Sequence, residues 1–319
     1  MPAAIRSGAG SSRVLDPATL AEIRDLRLIA RALVEGFLIG GHSSPRPSPG
    51  FEFRQFRAYE PGDDLRQVDW KAYARSGRLV IRESQAERDL TVRFVLDATG
   101  SMAMAAGREA PFERAGASPL RTFDTARYLV AALAYLVELQ GDRLRLDVVR
   151  DGQWIAQPMG GRGRRSQFLA AIHALEGLEP SGRWPEGRAA ELLFAGSVRR
   201  EREMVVFVSD LQDQNDETLE AIRLPRSSGR EVLVFQLLSR QELEFPFAGD
   251  VLFEDLETGR RVGGNAARMR DAALSALSAR RAVVRRRLLE QGAVHETVVA
   301  DEPLDRALRD FLRRRQRFA

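Results

Sequence analysis

Two rhythms of apolar residues alternate along the chain. Short, nearly unbroken runs, such as LTVRFVLD at 90–97 and EMVVFVSD at 203–210, predict strands buried on both faces. EVLVFQLL at 231–238 is a third such run, and AVHETVVA predicts a last strand. Elsewhere apolar residues recur every third or fourth position, the period of a helix with one buried face. DPATLAEIRDLRLIARALVEGF predicts a leading helix, with Asp16 as cap and Pro17 in its first position. Leu20, Ile23, Leu26, Ala30, Leu33 and Phe37 form its apolar stripe. RTFDTARYLVAALAYLVEL predicts a second helix, with Phe123, Ala126, Val130, Leu133 and Val137 on one face. SQFLAAIHALEGL and GRAAELLFAGSVRR predict two more. A long helix over about 265–291 and PLDRALRDFLRRRQRF complete the helical set.

Turn residues punctuate these elements. DRLRLDVVR and QWIAQPM meet at Asp151-Gly152, a hairpin signal. DVLFEDLETGRRVGG predicts an inserted hairpin near 250–263, turning at Thr258-Gly259. Residues 51–83 read as short strands and turns, after a loop at 39–50. Strands alternating with helices give an α/β class, a doubly wound and mostly parallel sheet with helices on both faces. The expected organisation is a disordered tail at 1–15, a leading helix with a β-rich addition at 16–89, and the main domain at 90–319. Chemistry in such sheets sits at the carboxyl ends of strands, where Asp97 and Asp210 fall.

Composition then removes several function classes. Among 319 residues there is no cysteine, which excludes disulfides, thiolate metal sites and cysteine nucleophiles. The longest apolar run, YLVAALAYLV, is well short of the roughly 20 residues a membrane span requires. No apolar signal core opens the chain, so a soluble, cytoplasmic protein is expected. Lys+Arg 49 against Asp+Glu 45 leaves a net charge of only +4, and Lys71 is the single lysine. The basic stretches ARRAVVRRRLLEQG and FLRRRQRF are interrupted by acids elsewhere on their helices and match no nucleic-acid motif, so they read as solvated faces. His42, His173 and His295 lack ligand spacing for zinc. GGRGRRSQF lacks the ending of a phosphate-binding loop and reads as a surface turn.

The remaining candidate chemistry is FVLDATGSMAM, where a strand runs into an aspartate followed by hydroxyls. Asp97, Thr99 and Ser101 alternate along a tight loop, and Asp210 can approach from another strand end. Such oxygen donors suit a hard cation like Mg²⁺. The pattern resembles the metal-ion-dependent adhesion site of von Willebrand factor A domains, Asp-x-Ser-x-Ser followed by a distant threonine and a late aspartate. Thr99 stands at the first serine, Ser101 at the second and Asp210 at the late aspartate. No threonine lies between Thr125 and Thr218, and Ser181 is the one nearby hydroxyl considered for the distant position. The resemblance implies a degenerate site, with Mg²⁺ bound weakly or absent. It also implies a partner-binding face carrying Asp97, Ser101, Asp210 and Asp213.

A second resemblance lies upstream, in FEFRQFRAYEPGDDLRQVDWKAYARSGRLVIRESQAERDLTVRFVLD. Its signature residues are Arg57, Tyr59, Gly62, Asp63, Arg66, Asp69, Trp70 and Arg75. EPGDD reads as a turn, and the Asp, Trp and Arg residues suit a polar cluster that fixes the addition. The segment resembles the bacterial family known only as domain of unknown function fifty-eight, over about residues 25–315. That resemblance implies a von Willebrand A-type fold with a small β-rich addition. It further implies a non-catalytic adaptor working with a MoxR-type AAA+ ATPase.

DATGS also resembles the phosphorylated loop of P-type ATPases, Asp-Lys-Thr-Gly-Thr. On that reading the chain is a Mg²⁺-dependent phosphotransferase or phosphatase, with Asp97 as nucleophile and Asp210 and Asp213 holding the metal. The lysine that balances phosphoryl charge is missing, because Lys71 precedes Asp97. Thr99 replaces the haloacid-dehalogenase general acid, and Ala98 breaks the aspartic-protease loop. The adaptor reading is therefore the expectation.

Overall fold

The order of strands in the central sheet decides where the two strand-end aspartates meet. In a computed structural model the chain is described at Leu20, Ile23, 25–40, 56–58, 80–82, 90–107, 120–159, 163–186, 202–213, 216–227 and 230–318. It divides into two units, Met1–Gly40 with Leu90–Ala319, and Gly41–Asp89.

In the larger unit β3 (Thr91–Asp97) lies between β4 (Arg143–Arg150) and β6 (Glu203–Ser209). Beyond β6 come β7 (Glu231–Leu238) and β10 (Val294–Val299), and beyond β4 comes β5 (Gln153–Ala156). The order is β10-β7-β6-β3-β4-β5. Every pair is parallel except β4 with β5, the hairpin expected at Asp151-Gly152. The doubly wound, mostly parallel sheet predicted from the sequence is the fold observed.

Alternation along the strands feeds two cores. Val92, Phe94 and Leu96 of β3 join Met204, Val206 and Val208 of β6 on one face. Val95, Val205 and Phe207 join Val232 and Val234 on the other. The first face is covered by α1 (Leu26–Gly40), α2 (Thr122–Gln140), α3 (Arg164–Glu176) and α7 (Asp305–Phe318). α2 packs against α1, α3, α7 and the sheet, which is why its sequence is apolar almost all round. The second face is covered by α4 (Glu217–Ser227) and α6 (Ala266–Glu290). α6 buries only Ala266, Val284 and Leu288, so ion pairs supplement its packing. Arg280 and Arg287 both reach Asp216 below it.

Several expectations are corrected. The leading helix α1 belongs to the larger unit rather than to the β-rich addition, because Leu26, Ile29, Ala30, Leu33 and Val34 are buried in the main core. Asp25, just before α1, accepts through Oδ1 from the amides of Arg27 and Leu28 at 2.9 and 3.1 Å, and Ile23, placed on the apolar stripe, is exposed; the predicted cap Asp16 and Pro17 lie outside the described residues. α4 was not predicted, since it is short and holds Pro225. A one-turn helix, α5 (Arg240–Glu244), was also missed; Ser239 and Glu242 cap it reciprocally. The inserted hairpin is present as β8 (Asp250–Glu254) and β9 (Arg261–Asn265).

In the smaller unit β1 (Phe56–Ala58) pairs antiparallel with β2 (Val80–Arg82), with Arg57 opposite Ile81. Tyr59, Gly62, Asp63, Arg66, Asp69, Trp70 and Arg75 lie outside the described residues. So do the tail at 1–15 and the helix predicted at 187–200.

A buried ion network crosses the middle strands. Arg93 donates from Nε to Glu203 at 2.8 Å and from a terminal nitrogen to Asp147 at 3.0 Å. Arg230 pairs with the other oxygen of Glu203, and Trp154 Nε1 donates to Asp147 at 3.0 Å. Each charge is paired, which is the condition for burying it at a tolerable cost.

Candidate functional site

β3 and β6 are neighbours, but their connections leave in opposite directions, β3 through α2 to β4 and β6 through α4 to β7. The carboxyl ends of these two strands therefore form the switch-point crevice of the sheet. Asp97 ends β3, and Asp210 follows β6. Topology thus brings together two aspartates that are far apart in sequence.

Asp97 is buried, and both of its oxygens are taken. Oδ1 accepts from the Thr99 amide at 3.0 Å and the Thr99 hydroxyl at 2.8 Å. Oδ2 accepts from Trp184 Nε1 at 2.8 Å and the Ser209 hydroxyl at 2.6 Å. Burial pushes the Asp97 carboxyl up, while the donors from Ser209, Trp184 and Thr99 pull it back. Asp210 is pushed well up, first by burial and then by the charge on Asp97, with Glu242 adding to it. The Ser101 hydroxyl lies against Asp210 and offsets part of this. Burial and the Asp97 charge thus raise Asp210 further than Asp97, which its four donors hold down.

A glycine in the loop after Asp97 admits a close neighbour. Gly100 is buried under the turn of the β8–β9 hairpin, where a Cβ would meet the Leu256 carbonyl oxygen at 2.4 Å. From the same turn the Glu257 carboxyl faces the hydroxyls of Ser101 and Thr99. Burial pushes Glu257 up, the two hydroxyls pull it down, and Asp97 pushes it up again. Thr99 Oγ1 and Ser101 Oγ are 3.2 Å apart.

Asp97, Thr99, Ser101 and Asp210 therefore converge as the sequence predicted. The site is not open to solvent: Asp97, Thr99 and Asp210 are buried and only Ser101 is half-buried. Asp213 also departs from expectation. Its Oδ2 accepts from the Thr218 amide at 3.2 Å, in the first turn of α4, and Arg280 lies 3.9 Å from Oδ1. Burial pushes Asp213 up to about 6. Ser181 bonds Ala98 and Asp151 through its backbone, away from Asp97. The place opposite Asp97 goes to Trp184, three residues further on, which sequence reasoning missed along with Ser209, Gly100 and Glu257. The one available signal was Ser209 directly before Asp210 in VVFVSD.

The donors can be tested against the Mg²⁺ that the adhesion-site resemblance implies. Asp97 has no oxygen free of a protein donor, and the indole N–H at its Oδ2 can only donate. Glu257 already faces the two hydroxyls. Among the described residues no three His, Cys, Asp or Glu side chains form a group that could hold a metal. This donor set does not fit a resident Mg²⁺, which demands near-octahedral oxygens.

The family pattern described as "Protein of unknown function DUF58" matches residues 55–283. The chain belongs to the DUF58 family. It is 28% identical over 250 residues to uncharacterized proteins of Mycobacterium tuberculosis (Rv1480) and Mycobacterium bovis (Mb1516), covering 76% of this chain and 73% of each relative. Among solved structures it is similar to BatB of Bacteroides thetaiotaomicron, at 15% identity and TM-score 0.45, over 72% of this chain and 98% of that one. A von Willebrand factor type A protein from Catenulispora acidiphila is similar at 13% identity and TM-score 0.29, over 47% of this chain and 33% of that one. For this DUF58 chain the strand order itself carries the fold assignment, a mostly parallel sheet of von Willebrand A or Rossmann type. Among the described residues no helix is long and apolar enough to cross a membrane.

Proposed function

We propose that this DUF58 protein is a non-catalytic, cytoplasmic adaptor that docks a MoxR-type AAA+ ATPase on the carboxyl-end face of its sheet. One observation carries the reading. The carboxylate at the switch point is pinned by four internal donors, so it holds loops in place and has no lone pair aimed outward for attack. A nucleophilic aspartate needs a free oxygen and a nearby cation to receive phosphoryl charge. Asp97 is instead surrounded by Asp210 and Glu257. The partner follows from the family resemblance, and the docking face follows from the switch-point rule.

The test is capture of the purified MoxR-type ATPase from the same organism by tagged wild-type, Ser101→Arg and Asp210→Asn chains. Ser101 is half-buried at the rim, and Asp210 keeps its shape as asparagine, so circular dichroism should match wild type. Capture should fall at least tenfold with Ser101→Arg. Undiminished capture by both variants would place docking elsewhere on the protein.

A further inference from the structure

The β8–β9 hairpin is an insertion that forms its own two-stranded sheet. A two-stranded hairpin is marginal alone and needs an anchor. The anchor here is one-sided. Phe253 packs with Phe245 and Phe247 at 5.6 and 5.1 Å between ring centroids. Leu252, Leu256 and Val262 remain exposed. The tip instead reaches back over the switch-point loop, with the Leu256 carbonyl pressed onto Gly100 and Glu257 facing the Ser101 and Thr99 hydroxyls.

We propose that residues 250–265 are a cover that closes the strand-end site in the free protein and must lift before a partner reaches the Thr99–Ser101 loop. The close approach at Gly100 supplies the fit, and the Ser101 hydroxyl holds Glu257 in place. Opposing them, burial and the charge of Asp97 both disfavour an ionised Glu257 at this position. Attraction and repulsion act on the same side chain, which makes the closed state easy to tip. An outer surface with no packing partner among the described residues means that lifting the tip breaks few contacts. The proposal deepens the adaptor reading above, and rests on it for what enters once the cover is open.

The experiment uses the full chain and hydrogen exchange read by mass spectrometry, in the absence of any partner. Glu257→Gln removes the charge and keeps the shape. Gly100→Ala keeps Glu257 but forces the turn away, because a real Cβ does not tolerate 2.4 Å. Glu254→Gln serves as control, since Glu254 pairs with Arg261 on the exposed hairpin. Gly100→Ala should speed exchange of the 98–104 and 255–259 amides at least tenfold and leave β3 and β6 protected. Glu257→Gln removes the charge that burial and Asp97 disfavour, so it should slow exchange of the same amides, and Glu254→Gln should leave them unchanged. If Glu257→Gln and Gly100→Ala both exchange as wild type does, there is no cover and the proposal falls. A second arm measures ATPase capture. Gly100→Ala should capture more strongly, by about tenfold, and Glu257→Gln should not. If exchange rises in Gly100→Ala and Ser101→Arg abolishes capture while Gly100→Ala captures no better than wild type, the cover is not a barrier. The docking reading then stands and this proposal fails. If Ser101→Arg has no effect on capture, the docking reading itself has failed.

Discussion

Replacing Asp97 with alanine tests whether this carboxylate is a structural hub. Four donors converge on it at 2.6 to 3.0 Å. A hydroxyl can rotate when its acceptor is lost, and Thr99 Oγ1 has Ser101 Oγ 3.2 Å away to receive its proton; Ser209 keeps its bond from the Leu211 amide at 3.0 Å. The Thr99 amide and the Trp184 indole N–H are fixed and buried, and each becomes an orphan. An orphaned buried polar group costs about 1–3 kcal/mol, so the two together cost roughly 2–6 kcal/mol. Removing a buried carboxylate returns part of this, because its desolvation is no longer paid. A net loss of about 3 kcal/mol is expected by these magnitudes. In a unit of this size each kcal/mol moves the melting temperature by roughly 2–4 °C, giving a fall of about 6–12 °C. Thermal melts followed by tryptophan fluorescence read this directly, since Trp184 reports on the site. Asp97→Asn keeps one acceptor oxygen and should fall between alanine and wild type. A melt of Asp97→Ala within about 1 °C of wild type would refute the hub, by the same conversion.

Two further outcomes are expected. Burial pushes Asp213 up to about 6, so between its ordinary value near 3.8 and about 6 the folded protein holds a proton that the unfolded chain has lost. Stability therefore falls as pH rises through that window, by at most about 3 kcal/mol for this group. Asp124 and Asp216, held down by arginines against the upward push of burial, lose stability only at lower pH. The melting temperature should be higher at pH 5 than at pH 7, and Asp213→Asn should shrink the difference; a lower value at pH 5 contradicts the assignment. Arg93→Met leaves Asp147 and Glu203 buried with one cation partner fewer. Breaking such a network costs about 3–5 kcal/mol, read as a drop in the urea midpoint, and an unchanged midpoint would show the network to be energetically idle.

The strands were legible because a parallel sheet covered on both faces demands unbroken apolar runs, and LTVRFVLD and EMVVFVSD are such runs. α4 was not, since ETLEAIRLPRS is brief and contains a proline. Asp97, Thr99, Ser101 and Asp210 were legible as strand-end polar residues. Trp184 and Ser209 were not, being 87 and 112 positions from Asp97. Nothing local marks an indole as the fourth donor to a carboxylate. Glu257 was hidden more completely, because its sequence context predicts a turn and says nothing about where the turn lands.

The hub and the cover meet at Thr99, and the proton count explains why one is firm and the other is not. Thr99 has a single hydroxyl proton, and it goes to Asp97 at 2.8 Å. Ser101 then has the only remaining hydroxyl proton on the loop, and three acceptors face it: Thr99 Oγ1, Asp210 and Glu257. Asp210 also accepts from the Gln212 amide at 3.1 Å, so Glu257 depends on Ser101 more than Asp210 does. Asp97 is exempt from this shortage, because its other donors are an amide, an indole and a hydroxyl that come from outside the contest. Burial and donor supply thus make the strand end rigid, whereas Glu257 shares one proton with two competitors. The element that this leaves free to move is the hairpin, and its movement need not disturb the sheet beneath.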